Sequence, residues 1–179
     1  MNDGKISVRY ARALYHAACE QGCEREVYVA MRQFVDSVSG HLLQFEDILK
    51  NPTIGNSDKA KLIETAIGNA IPQCLKDFIN LVIKHNREGK MYLIALKYQE
   101  QYRRDKNIMF TRITTATELP EVTLKRIKDF VAENFHTEVE AQVDIDPKLI
   151  GGFTLDIENN RMDASVVGRL NALKNRLKQ

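Results

Sequence analysis

The sequence predicts an α+β protein that is mostly α, with a six-helix bundle over residues 1–105 followed by a small α+β domain over residues 106–179. Three observations carry that reading. Between Ser7 and Tyr102 the apolar side chains recur at helical spacing, and the pattern is broken at Gly22, Gly40, Asn51-Pro52, Pro72 and Gly89. From Glu138 to Ile145 the period changes to two, with Val139, Ala141, Val143 and Ile145 alternating against Glu138, Glu140, Gln142 and Asp144, as in a half-buried strand. The segment from Gly151 onward joins a Gly-led strand to a terminal amphipathic helix.

The helices follow in order. Ser7 can cap the first, in which Val8, Ala11, Tyr15 and Ala18 share one side and Tyr10, Leu14 and Ala17 another, until Gly22 stops it. Val27, Ala30, Met31, Phe34 and Val38 mark a second helix near residues 24–38, ending at Ser39-Gly40. A short third, from His41 to Leu49, closes at Asn51-Pro52, because a residue before proline is pushed out of the helical region. Asn56 or Ser57 opens a fourth, running to about Asn69. Pro72 suits the first turn of the fifth, which holds Leu75, Phe78, Ile79, Leu81, Val82 and Ile83 and is apolar on nearly every side. Such a helix is either central and buried or keeps a second apolar face for a guest. Met91, Ile94, Ala95, Tyr98 and Tyr102 form the sixth.

The second half reads strand, helix, strand, strand, helix. β-formers fill residues 107–115, and Leu124, Ile127 and Val131 define a helix from Pro120 to about Phe135. Gly151 and Gly152 permit positive φ or a close backbone approach at the entry to the strand Phe153–Ile157. Asn159 and Asn160 predict a turn, and Asp163 an N-cap. Val166, Leu170, Leu173 and Leu177 then make one stripe of the last helix, with Arg169, Lys174, Arg176 and Lys178 around it. Those cations suit the helix dipole, and an exposed basic face would also suit an acidic partner.

Composition narrows the function. Residues 1–105 carry 15 basic and 13 acidic side chains and residues 106–179 carry 11 of each, so neither half has the positive excess that phosphate-dominated binding demands. Cys19, Cys23 and Cys74 have neither CxxC spacing nor a matching histidine pattern, which predicts reduced thiols and no metal site. No apolar run approaches the ~20 residues that span a bilayer, and Met1–Lys5 does not open a signal peptide. The His85-Asn86-Arg87-Glu88 group reads as a helix end, and His16, His41 and His136 lack ligand-spaced partners. Asp144 and Asp146 share a strand face, but paired carboxylates act only inside a pocket. Tyr92, Tyr98, Tyr102, Arg103 and Arg104 could line nucleic acid but fit better as the buried and wet sides of one helix. Leu149-Ile150-Gly151-Gly152 lacks the lysine and hydroxyl of a phosphate loop. The expectation is a protein with no catalytic residues, no metal and no cofactor.

A longer string is more specific. The pattern I-D-x-x-L-I-G-G-x-x-L-x-I, then D-x-S-x-x-x-R-L-x-x-L, is carried by Ile145, Asp146, Leu149, Ile150, Gly151, Gly152, Leu155, Ile157, Asp163, Ser165, Arg169, Leu170 and Leu173. It closely resembles the C-terminal signature of the delta subunits of F-type ATP synthases, the family of the mitochondrial oligomycin-sensitivity-conferring protein. Arg9-Tyr10-Ala11-Arg12-Ala13-Leu14, Leu49-Lys50-Asn51-Pro52 and Asn86-Arg87 resemble further family segments, so the likeness spans the chain.

The resemblance implies a non-catalytic stator subunit. Its helical domain would take the N-terminal helix of an alpha subunit, on the catalytic head, in a groove between the first and fifth helices. Carried across by position, that implicates Tyr10, Ala13, Leu14 and Ala17 with Phe78, Leu81, Val82 and His85. The smaller domain would hold the b subunits of the peripheral stalk. The resemblance further implies one copy per complex, on the cytoplasmic side of a bacterial inner membrane, touching the membrane only through a complex driven by protons or sodium ions. The residues taken alone leave open a helical RNA-binding or regulatory module, which the near-neutral charge of both halves disfavours, and a small hydrolase.

Overall fold

The computed structural model describes residues 3–68, 71–135, 137–157 and 160–176, and the chain divides into two units, Met1–Tyr102 and Arg103–Gln179. The first unit is built from α1 (Asp3–Glu20), α2 (Glu24–Ser39), α3 (Leu42–Lys50), α4 (Asn56–Ile67), α5 (Gln73–Lys84) and most of α6 (Met91–Asp105). Two of its helices, α1 and α5, stop where a residue takes the left-handed conformation. Gly22 (φ +66°) follows α1, with the Cys23 amide donating to the Ala18 carbonyl at 2.9 Å and Gly22 N–H to Cys19 at 3.2 Å. Asn86 (φ +54°) repeats the device after α5, with Arg87 N–H on Val82 and its own N–H on Ile83. Both are Schellman stops, open to glycine and, among side-chain-bearing residues, most readily to asparagine. The His85–Glu88 group is therefore a helix end in its first three residues.

The core gathers Met31, Phe34, Ile63, Leu75, Ile79, Val82, Ile94 and Tyr98, all without measurable exposure. Tyr98 donates its hydroxyl to the Glu24 carbonyl at 3.0 Å and meets Tyr15 edge-on at 5.8 Å, while Tyr28 stacks on Tyr102 at 4.3 Å. Tyr98 and Tyr102 of α6 are thus committed inward and offer no stacking face to a base, while Tyr92 is half-buried. Two expectations for α1 need correction. Ser7 lies inside the helix and is buried, so it caps nothing, and Val8 is exposed. Burial of Ile6 extends the core contact one turn upstream, and the inward stripe runs through Ser7, Ala11, Leu14, Tyr15 and Ala18.

One charged pair is buried with the apolar residues. Lys59 Nζ of α4 lies 2.6 Å from Glu88 Oε1, on the 3-10 turn Glu88–Lys90 that leads into α6, and both side chains are 8% exposed. The other carboxylate oxygen, Glu88 Oε2, is buried without a protein hydrogen-bond partner. Such a pair is a poor source of net stability, yet breaking it strands a buried charge.

The second unit is a four-stranded sheet with two helices: β1 (Ile108–Thr115), α7 (Glu121–Phe135), β2 (Glu138–Ile145), β3 (Phe153–Ile157), β4 (Asn160–Asp163) and α8 (Val166–Arg176). The strand order is β2-β1-β3-β4, with β1 and β2 parallel and the other neighbours antiparallel. Parallel β1 and β2 require a crossover, and α7 supplies it. Its Val131 packs with Ile113, Leu155 and Ile157, flanked by Leu124, Ile127, Val139, Ala141 and Val143. Ile145, expected on the buried side, is exposed at the strand's end, beyond that cluster. The turn expected at Asn159-Asn160 also changes. Asn159 lies outside the described residues, and Asn160 opens β4 in register with Ile157.

The C-terminal signature builds the corner where β3 meets α8. Gly152 has φ +78°, and a Cβ there would collide with the Ala164 carbonyl oxygen and lie 2.9 Å from Ser165 Cα. Val166 N–H donates to the Gly151 carbonyl and Ala164 N–H to that of Phe153, both at 3.0 Å. The N-cap is Ser165, not Asp163. Ser165 Oγ accepts from Gly168 N–H at 2.9 Å, the third amide of the helix, whereas Asp163 Oδ1 accepts from Ser165 N–H at 2.9 Å and shapes the approach. The Ser165 side chain, and after it the Ser165 amide, hold the Asp163 carboxyl below its ordinary pKa. Asp146 caps a 3-10 turn (Pro147–Leu149) by accepting from Lys148 N–H at 3.0 Å. The apolar stripe expected on α8 is exposed at Val166 and Leu170, while the Leu173 side chain and Leu177 lie outside the described residues. Among the described residues, no helix is long and apolar enough to cross a membrane.

Glu88→Ala, which strands Lys59, should cost about 3–5 kcal/mol in urea unfolding, and the double change Lys59→Met/Glu88→Leu should recover most of it; equal losses in both would show that the charge is not what matters. Gly152→Ala should destabilise the sheet unit by more than ~1 kcal/mol, read by amide exchange at Ile113 and Val143. Gly40→Ala, at a helical φ with open space around the new methyl, should be near neutral.

Candidate functional site

A trough of about 830 Å³ runs between α1 and α5 in the first unit. Tyr10, Ala13, Leu14 and Ala17 line it from α1, and Phe78, Leu81 and His85 from α5 and its cap. Leu14, 1% exposed, and Phe78, 9% exposed, are the floor, and the Tyr10 and Phe78 rings meet edge-to-face with centroids 6.2 Å apart. Leu81, 46% exposed, stands on the wall. Ala13 and Ala17 keep the α1 side low.

Val82 does not belong to this set. It is fully buried, because one residue beyond Leu81 is a rotation of about 100° around the helix, which turns its side chain into the core. The trough in turn includes residues that the sequence reading did not assign to it. Ile6 and Gln21 extend the α1 row and Cys74 the α5 row, at the same spacing of three or four residues, so carrying each stripe one turn outward would have found them. Arg9, Asp77 and Arg87 add charges to the lining, for which apolar periodicity gives no signal.

The other candidate groups are occupied structurally. Asp144 pairs with Arg112 at 3.3 Å, and Asp146 serves the turn described above, so the two carboxylates have separate partners. His16 is exposed and meets Tyr15 edge-on, His41 precedes α3, and His136 lies outside the described residues. Among the described residues, no three metal-ligating side chains cluster. Gly151, Gly152, Asp163 and Ser165 are corner residues, whereas Arg169 and Leu170 are exposed on α8. An apolar trough with charges beside it suits an amphipathic helix, whose anchors at i, i+3, i+4 and i+7 would fill it.

Known proteins place the chain. The sequence pattern of the "ATP synthase delta (OSCP) subunit" family matches residues 6–177. The ATP synthase subunit delta of Phocaeicola vulgatus is 38% identical over 172 residues, covering 96% of this chain and 92% of that protein. That of Parabacteroides distasonis is 34% identical, covering 97% and 96%. A chain in the cryo-EM structure of the Toxoplasma gondii mitochondrial ATP synthase hexamer shares the fold, with a TM-score of 0.71 over 100% of this chain and 98% of that one at 15% identity. The matched span takes in the helical bundle from Ile6 onward, the sheet unit and the signature corner, and the chain belongs to the ATP synthase delta (OSCP) subunit family.

Proposed function

We propose that this chain is the delta subunit of a bacterial F-type ATP synthase and works, without catalysing a reaction, as a tether between the catalytic head and the peripheral stalk. The observation that carries the head contact is the α1/α5 trough, formed by seven of the eight residues that the resemblance implicated. Its occupant is the amphipathic N-terminal helix of an alpha subunit. Apolar anchors of that helix cover Leu81 and the Tyr10–Phe78 pair, with Ala13 and Ala17 admitting its backbone closely, and Arg9, Asp77 and Arg87 set its register by charge.

The second unit holds the ends of the b subunits. Supporting this are the exposed Ile150, Val166 and Leu170 around the β3–α8 corner, with the basic Arg169 and Lys174 beside them. One copy serves each complex, at the cytoplasmic face of the inner membrane, with membrane contact only through the other subunits. Rotary catalysis turns a rotor inside the head, and the head must be held against that torque. A connector with one grip on the head and another on the stalk resists it, whether protons or sodium ions drive the rotor. The RNA-binding alternative loses its stacking platform to the burial of Tyr98 and Tyr102.

Calorimetric titration of the full chain with a peptide copying the N-terminal helix of the same organism's alpha subunit tests the head contact. Saturable one-to-one binding with a negative heat-capacity change is expected. Leu81→Glu should weaken it about tenfold or more, roughly 1.4 kcal/mol, with unchanged circular dichroism because the side chain is half-exposed. Undiminished affinity in a folded Leu81→Glu protein would withdraw the trough as the binding site.

A further inference from the structure

Cys23 and Cys74 are 51 residues apart in the chain, yet their Sγ atoms lie 2.9 Å apart, inside van der Waals contact for two sulfurs. A covalent bond needs ~2.05 Å, so closure requires a shift of less than an ångström. Both positions are fixed by backbone bonds. Cys23 N–H donates to Ala18 and its carbonyl accepts from Val27 N–H at 3.0 Å, while Cys74 sits in the first turn of α5, where Leu75 N–H bonds Pro72. A thiol–thiol hydrogen bond is too weak to draw these segments together, so packing holds the sulfurs in place.

We propose that Cys23 and Cys74, free thiols in the structure as the sequence predicts, close under oxidising conditions into a disulfide that clips the α1–α2 corner to the first turn of α5. The oxidant is a small-molecule disulfide of the glutathione class. The half-exposed Cys23 thiolate attacks one of its sulfurs, expelling a thiolate and leaving a mixed disulfide; Cys74 then attacks the Cys23 sulfur and expels the second thiolate. The protein pair loses two electrons and two protons, and the oxidant becomes two thiols. Burial, then the neighbouring Cys23, pushes the Cys74 thiol up to about 12, so the second step is slow near neutrality. Because Cys74 also lines the trough, the bond fixes one end of the α5 wall, whatever the trough binds. Cys19 is exposed near the end of α1, four residues before Cys23, which makes it the competing thiol of the same corner.

The full chain, equilibrated for many hours in graded mixtures of reduced and oxidised glutathione and then alkylated, tests this by peptide mass mapping. At the oxidising end Cys19 should be the one residue not drawn into an intramolecular bond, with Cys23 and Cys74 peptides joined and the protein melting at a higher temperature than when reduced. Cys19→Ser should leave the cross-link intact, and Cys74→Ser should leave Cys23 in mixed disulfide with glutathione. Full alkylation of all three thiols at the oxidising end, or a Cys19–Cys23 bond in place of the expected one, would overturn the proposal. The wild-type map decides even if a variant misfolds.

Discussion

Leu14 and Phe78 answer two demands with one contact. Each is buried against the bundle, and each is also the floor of the trough, so the packing of α1 on α5 fixes both the core and the shape of the open surface. Neither side chain can turn to suit a guest without disturbing what lies behind it, because a close-packed interior transmits such a change. The floor is therefore preformed. A preformed apolar site spares a ligand part of the ordering cost that otherwise consumes interface energy. The walls are freer, since Tyr10 is half-buried and Leu81 half-exposed. A rigid floor with adaptable walls suits the proposed grip on an amphipathic helix.

Much of the fold was legible because its boundaries are marked by backbone chemistry. Gly22 and Asn86 adopt the left-handed conformation that closes a helix, and Asn51, before Pro52, takes the extended backbone that proline imposes. β2 was legible from its alternation, which the burial follows loosely: Glu140 and Asp144 are half-buried, and Ile145 is exposed where the covering cluster ends. β4 was not. Asn160-Arg161-Met162-Asp163 has neither β-branched residues nor a clear alternation, and its state comes from pairing with β3, a tertiary contact that local propensity does not contain. Lys59 carried no signal either, since its partner Glu88 lies 29 residues away.

The trough was legible in part. On α1 the alternation of small and large residues separates an inward row from an outward one, although Ser7 and Val8 exchanged the roles their polarity suggested. On α5 the apolar residues are too many: Phe78, Ile79, Leu81, Val82 and Ile83 leave hydrophobicity unable to say which face is spare. Rotation about the helix axis decides between Leu81 and Val82, and it is fixed only once the core is packed. At the N-cap of α8 the sequence points to Asp163, but the cap is Ser165, two residues on. Hydroxyl reach to the Gly168 amide settles it, leaving the Asp163 carboxylate to shape the chain before the helix.

The C-terminal signature identifies the family so well because it encodes a joint, not a reaction. Gly152 has no Cβ because Ala164 and Ser165 occupy that space, Ser165 is buried because it caps α8, and Gly168 lacks a side chain where the Asp163 carboxylate lies. Each residue is constrained by the others, so a change at one is answered only by changes at several. Catalytic motifs tie a few atoms to a substrate, whereas here the tie is between β3 and the start of α8. Ile150, Val166 and Leu170 are held in the open by that corner. Under the proposed role this is what a load-carrying joint requires: apolar contact groups carried on a frame tied together by its own hydrogen bonds, so that force reaching them is passed into the sheet instead of deforming the corner.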